Sequence, residues 1–229
     1  MTRWAAIVAD EWRYWARSRL AVLSVGVFFV LLSVAILLTL QRQHEAEHIR
    51  VHSQDAAEQA FLTQPDRHPH RMVHYGHYAF RAPAPLASID PGLDAVTGQS
   101  VFLEGHRQNS AMFADIAAST NLGGLAWLTP AVVYQLFGAL LMILLGHSTV
   151  VRERESATLP TILLHGTGRL QLLSAKFGAL GSLALIAVLP LFALSWWAEG
   201  ALASSVMSAA YLVYLLIWAA VTRALSAAL

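Results

Sequence analysis

The sequence predicts a mainly α-helical protein that crosses a membrane several times, and three observations lead to this prediction. Hydrophobic residues make up 56% of the 229 residues and charged residues only 13%. The mean hydropathy is +0.52, which is too high for an ordinary soluble domain. Four windows contain no Asp, Glu, Lys or Arg. Each is long enough to cross a membrane, because a helix of about 20 apolar residues spans a hydrocarbon core of about 30 Å. These windows are residues 20–41, 116–151, 177–198 and 200–222.

Backbone groups cannot remain unpaired in lipid, so each of these windows is expected to form a helix. We assign the four transmembrane helices to residues 20–41, 125–147, 173–198 and 205–225. A short loop, 199–204, joins the last two helices, and a larger insert, 42–124, separates the first two. The insert is predicted to form a small mixed domain.

The Lys and Arg residues near the ends of the spans predict the orientation. They lie before the first span, between the second and third, and after the fourth: Arg3, Arg13, Arg17, Arg19, Arg152, Arg154, Arg169, Lys176 and Arg223. These segments share one side when the spans alternate, and the positive-inside rule makes that side the cytoplasm. We therefore expect a cytoplasmic N-terminus and an insert on the opposite side.

Composition also excludes several kinds of site. The chain has no cysteine, so disulfides and thiolate metal sites are excluded. A formal net charge of +1 gives no sign of a nucleic-acid partner. There is no GxxxxGK[ST] loop to bind the phosphates of ATP.

Residues 1–19 are predicted to form an amphipathic helix in the membrane interface. One face carries Trp4, Ile7, Val8, Trp12 and Trp15, and the other carries Arg3, Asp10, Arg13 and Arg17. Glu11 falls within the apolar face, which predicts a polar partner for it. A solvated N-terminal tail is the alternative.

Residues 41–62 contain helix formers and neither Gly nor Pro, so they are predicted to extend the first transmembrane helix and to end before Pro65. His44, His48 and His52 recur at intervals of four along this helix and form one stripe. Two histidines one turn apart can bind Zn²⁺ or Cu²⁺.

More histidines follow in the insert: His68, His70, His74 and His77, with His106 further along. A metal site assembled from the outer histidines is one hypothesis, and a solvated set of side chains is the other. Residues 99–103 suggest a short strand, although no clean alternation predicts a sheet.

Residues 148–172 form a polar, turn-rich segment between the second and third spans. Alternating charges at 152–155 are predicted to end the second span, and Thr158 is predicted to cap a short helix that tolerates Pro160 in its first turn. Gly166 and Gly168 would end this helix. An exposed apolar helix suits a groove on another protein, with Glu153 and Glu155 meeting Arg or Lys at its rim. The alternative is a plain re-entry loop.

The stretch RERESATLPTILLHGTGRLQLLSAK resembles the coupling segment of type-2 ATP-binding-cassette (ABC) permeases. The matching residues are Glu153, Arg154, Glu155, Thr158, Leu159 and Lys176, whereas Ala157 and Ala175 stand where that family usually has Gly. HPHRMVHYGHYAFRAPAPLASIDPG and FLEGHRQNS in the insert resemble a branch of these permeases with a large extracytoplasmic insert of unknown function.

The resemblance implies a non-enzymatic permease subunit of an ABC transporter in the bacterial inner membrane, paired with a second copy or a paralogue. ATP and Mg²⁺ would be bound by a separate ATPase subunit, which would contact Arg152, Glu153, Arg154, Glu155, Thr158 and Leu159. No cofactor is then expected in this chain, apart from Zn²⁺ or Cu²⁺ if the outer histidines bind one. Such permeases usually have six spans, so the end at 226–229 predicts an incomplete permease, and the alternative is that a separate polypeptide supplies the missing spans. A membrane-anchored metal-binding or sensing protein is the alternative function.

Overall fold

The computed structural model describes residues 2–72, 74–92, 100–107, 109 and 128–228. The helices are α1 (Arg3–Arg17), α2 (Arg19–Leu62), α3 (Pro69–Met72), α4 (Pro130–Glu155), α5 (Thr158–Leu164), α6 (Arg169–Glu199) and α7 (Ala201–Ala228). The strands are β1 (His77–Phe80) and β2 (Ser100–Leu103). The chain divides into two compact units, one formed by residues 1–34 and 130–229 and the other by residues 35–129.

Four of the described helices, α2, α4, α6 and α7, are long and apolar enough to cross a membrane. The prediction of a mainly α-helical, polytopic membrane protein is therefore confirmed. The prediction that residues 41–62 extend the first span is also confirmed, because α2 continues without a break to Leu62.

Several predicted boundaries differ from the observed helices. The predicted start of the second span at residue 125 lies outside the described residues. The described α4 begins at Pro130 and continues through the charged residues to Glu155 instead of ending near 147. The predicted loop at 199–204 is reduced to Gly200, which alone separates α6 from α7. Its φ of 87° lies in the left-handed region that glycine adopts without strain. Helical hydrogen bonding therefore extends further than the apolar windows indicate.

The predicted amphipathic helix is present as α1, and the Thr2 hydroxyl accepts a hydrogen bond from the Ala5 amide at 3.3 Å. Part of its apolar face packs on α6. The Trp12 indole donates to the Ser182 hydroxyl at 2.9 Å. A Cβ at Gly178 would lie 2.3 Å from the Trp4 ring, so the absence of a side chain there allows α1 to approach α6.

A π-helical turn interrupts α4 at Val133–Gly138, and no sequence pattern predicted it. Tyr134 in this turn is fully buried, and its ring contacts those of Phe28 and Tyr211. Its hydroxyl donates to the Ala187 carbonyl on α6 at 2.6 Å. Pro190, which has no N–H to donate, lies one turn further along α6. Two irregular stretches of helix therefore meet around one buried tyrosine.

The unit formed by residues 35–129 contains residues 35–62 of α2, the single turn α3 and a two-stranded antiparallel sheet. His77 pairs with Leu103 and Phe80 with Ser100. The predicted strand near 99–103 is confirmed for Ser100–Leu103, but its pairing with β1 was not predicted. Gly76 precedes β1, and a Cβ there would overlap the Phe102 ring and the Leu103 carbonyl, at 2.3 and 2.4 Å.

Candidate functional site

The segment between α4 and α6 contains the short helix α5, as predicted, but its start differs from the prediction. Thr158 is the first residue of α5, and the N-cap is Ala157, which makes no side-chain capping hydrogen bond. Ala157 has a left-handed backbone with φ of 53°, which reverses the chain between the two helices. Gly166, with φ of 81°, follows the C-cap His165, as expected for a glycine that ends a helix.

Glu153 is buried, and its carboxylate has partners on three helices. The Thr158 hydroxyl donates to Oε2 at 2.5 Å, and Lys176 Nζ on α6 donates to Oε1 at 3.0 Å. Arg152 Nη2 donates to the same Oε1 at 2.8 Å. In this conformation Glu153 bonds within the chain instead of being presented to a partner, because the turn at Ala157 brings Thr158 back towards the end of α4.

Glu11 on α1 has the polar partner that its position in an apolar face predicted. Only 1% of Glu11 is exposed, and Lys176 Nζ donates to its Oε1 at 2.5 Å. Arg152 Nη2 donates to the same oxygen at 2.9 Å. Lys176 is 2% exposed and also donates to the Thr149 carbonyl at 2.6 Å. The two basic groups therefore compensate two buried carboxylates.

Arg223 near the end of α7 joins the same group. Its Nη1 donates to the Thr149 hydroxyl at 3.0 Å, and its side chain is buried. We use the name charged cluster for Glu11, Thr149, Arg152, Glu153, Lys176 and Arg223. Through these side chains and Thr158, the charged cluster connects α1, α4, α5, α6 and α7 at one end of the bundle.

The outward side of the segment carries different chemistry. Arg154 and Glu155 are exposed, and Leu159 is partly buried beside a cavity of about 380 Å³ that Arg169 and Arg223 also line. Leu164 at the end of α5 is 86% exposed, and sequence reasoning did not single it out. The sequence indicates an exposed apolar side chain here only through the apolar run at 161–164, which is too short to show a helical periodicity. Arg3 Nη1 donates to the Gly166 carbonyl at 2.9 Å and connects α1 to the end of α5.

A model of the ABC-2 family transporter proteins matches residues 5–229. The chain belongs to the ABC-2 transporter family. No curated protein and no solved structure matches it.

Membership of the ABC-2 family makes this chain the membrane permease component of an ABC transporter rather than a catalytic subunit. The match covers α1, the four long helices and α5, so the family extends over both compact units. The alternative of a membrane-anchored metal-binding or sensing protein is not favoured.

Replacing Ala157 by glycine in this ABC-2 permease is expected to stabilise it by about 1 kcal/mol, because the left-handed conformation strains any residue with a Cβ. The matched control is Ala175→Gly. Ala175 lies buried within α6, where glycine should destabilise by about 1 kcal/mol. Unfolding of the purified protein in mixed SDS and mild-detergent micelles measures both changes. A loss of stability in Ala157→Gly would contradict the strained conformation.

The structure separates the histidines that the sequence analysis grouped. His44, His48 and His52 are exposed along one groove of α2, with Glu47 and Asp55 beside them. His68 accepts a hydrogen bond from the His70 amide, and the His77 ring packs on Phe61. Among the described residues, His70, His74 and His106 each place one ring nitrogen within 4.8 Å of those of the other two.

Proposed function

We propose that this ABC-2 permease is driven by a separate ATP-hydrolysing subunit that docks on the coupling segment, residues 148–172. The exposed groups of this segment support the proposal, because Leu164 offers an apolar contact and Arg154 and Glu155 offer charged ones. Such a mixture is typical of an apolar anchor with a polar rim. ATP and Mg²⁺ are held by the partner. The segment faces the cytoplasm of a bacterial inner membrane, as does the N-terminus.

The bonding of Glu153 is the observation that carries the proposal. One carboxylate accepts hydrogen bonds from Thr158 at the start of α5 and from Lys176 on α6. A push on α5 therefore acts on α6 directly, instead of being absorbed by the turn at Ala157. The remaining residues of the charged cluster pass the displacement to α1 and α7.

Two such permeases, identical or paralogous, form the transport path between them. ATP-bound and open forms of the ATPase differ in how they hold α5, and this difference supplies the free energy that shifts the permease between its conformations.

The docking surface is tested by co-purifying the permease with its ATPase in mild detergent. Leu164→Asp places a charge where an apolar anchor is proposed, and it is expected to weaken binding about 30-fold, the loss of about 2 kcal/mol typical of a central interface residue. Glu155→Lys is expected to weaken it less. Glu58→Lys, a charge reversal on the exposed part of α2, is the matched control.

Transmission is tested separately with Thr158→Val, which removes the hydroxyl that bonds to Glu153 but leaves Leu164, Arg154 and Glu155 unchanged. The ATPase should still bind, while stimulation of its activity by the permease should fall. Binding of Leu164→Asp at the affinity of the unaltered protein would contradict the docking surface. Full stimulation in Thr158→Val would contradict transmission through Glu153.

A further inference from the structure

His70, His74 and His106 are the only group of three His or acidic side chains, within the described part of the chain, placed to share one metal ion. We propose that these three imidazoles form a Zn²⁺ site in the unit formed by residues 35–129. None of its residues belongs to the charged cluster. Of the eight outer histidines considered from the sequence, three are then the ligands.

The register of the small sheet explains why His74 and His106 meet. His77 pairs with Leu103 in the antiparallel ladder, so the residue numbers of each pair sum to 180. The numbers of His74 and His106 also sum to 180. His74 lies three residues before β1, and His106 lies three residues after β2. The segments that extend from this end of the two strands therefore bring these side chains opposite each other, with ring centroids 4.8 Å apart.

A helical turn adds the third ring. His70 lies in α3 (Pro69–Met72), and the turn continues beyond it because the His74 amide donates to the Arg71 carbonyl at 3.1 Å. Side chains four residues apart share a face of such a turn. The His70 ring consequently lies 5.3 Å from that of His74 and 5.9 Å from that of His106.

Two features hold the segments that carry His74 and His106 against the small sheet. Gly76 leaves no Cβ between the turn and β2, so the chain that carries His74 can approach Phe102 and Leu103. Asn109 Nδ2 donates to the Phe102 carbonyl at 3.0 Å and closes the bend that carries His106. The three rings are therefore brought together by the register of the sheet, by the turn after α3 and by the Asn109 side chain.

The chemistry of three neutral imidazoles suits Zn²⁺ with a fourth position open to water or another ligand. Two nitrogens bound to one tetrahedral Zn²⁺ lie about 3.4 Å apart, given bonds of about 2.1 Å. All three rings are exposed, so rotation of their side chains can close the remaining distance. The stripe of His44, His48 and His52 cannot do the same, because its ends are about 12 Å apart along a straight helix.

The test uses the purified full chain in detergent. Zn²⁺ is titrated by calorimetry, and Co²⁺ is used as a visible probe, since tetrahedral Co²⁺ absorbs strongly. The variant His70→Ala/His74→Ala/His106→Ala is compared with the matched control His44→Ala/His48→Ala/His52→Ala. We expect one tight ion per chain. Changes outside the ligands of a metal site already cost about 10–100-fold in affinity, so the first variant should lose at least about 100-fold and the control less than about threefold.

His74→Gln and His106→Gln provide the same test with one ligand removed at a time, should the triple variant fail to fold. Each is expected to lose most of the Zn²⁺ affinity and the tetrahedral Co²⁺ absorption while keeping the helical circular dichroism of the unaltered chain. Equal affinity in these variants and in the unaltered protein would overturn the site. So would a larger loss in the His44, His48 and His52 control.

Discussion

Replacing Lys176 by methionine is expected to lower the free energy of unfolding by about 3–5 kcal/mol, the usual cost of removing one partner from a buried ion pair. Lys176 donates hydrogen bonds to Glu11, Glu153 and the Thr149 carbonyl, and almost none of it is exposed. Methionine fills similar space but leaves two buried carboxylates with Arg152 as their shared cation. Unfolding in mixed SDS and mild-detergent micelles measures the loss.

The matched control is Arg50→Met, which removes an ion pair with Glu47 in residues 35–62 of α2. Its N–O distance is also 2.5 Å, but Glu47 is about half exposed, so the loss should stay below about 1 kcal/mol. Glu11→Leu combined with Lys176→Met should recover part of the stability, because one carboxylate leaves together with the cation. Losses of equal size for Lys176→Met and Arg50→Met would show that burial of the cluster contributes nothing.

Tyr134→Ala is expected to cost about 3–5 kcal/mol, as for other large aromatic side chains removed from a core. Tyr134 is completely buried between Phe28 and Tyr211, and bonds to the Ala187 carbonyl at 2.6 Å. Truncation therefore leaves a cavity inside the bundle and a carbonyl without this donor. The same unfolding measurement applies.

Tyr214→Ala is the matched control for this prediction. Its hydroxyl donates to the Gln135 carbonyl at 2.7 Å, but the side chain is partly exposed, so detergent or lipid can occupy the space it leaves. The loss should be near 1 kcal/mol, the net value of one hydrogen bond. Tyr134→Phe should show a similarly small loss, which separates the hydroxyl from the ring. A small effect of Tyr134→Ala would mean that the π-helical turn repacks around the gap.

The features that could be predicted from the sequence are those that depend on local composition. The long helices follow from apolar length and from the absence of Gly and Pro at 41–62. A polar partner for Glu11 follows from a single charge on an apolar helical face. The charge alternation at 152–155 and the glycines at 166 and 168 predict a short helix in a polar segment. Each of these signals is contained in a few neighbouring residues.

The remaining features depend on pairing between residues far apart in the chain. Nothing near Glu153 in the sequence indicates that it is buried and bonded to Lys176 on α6, so the sequence predicts a docking contact of the same kind as Glu155. The selection of His70, His74 and His106 requires the register of β1 with β2, which weak alternation could not predict. The π-helical turn at Val133–Gly138 was not predicted, because five of its six residues are ordinary helix or strand formers.

The single-residue turn at Gly200 joins α6 and α7 into a hairpin, in which a small rotation at one end causes a larger displacement at the other. The 31 residues of α6 extend about 46 Å at 1.5 Å per residue. Gly200 joins the two helices at one end, and Lys176 and Arg223 lie near the other. If the hairpin pivots as one body at Lys176 in the charged cluster, the distance from the pivot to Gly200 is about 36 Å, and a tilt of about 5° moves that end by about 3 Å. A small angular change beside α5 would then become a large displacement at the opposite end of the bundle.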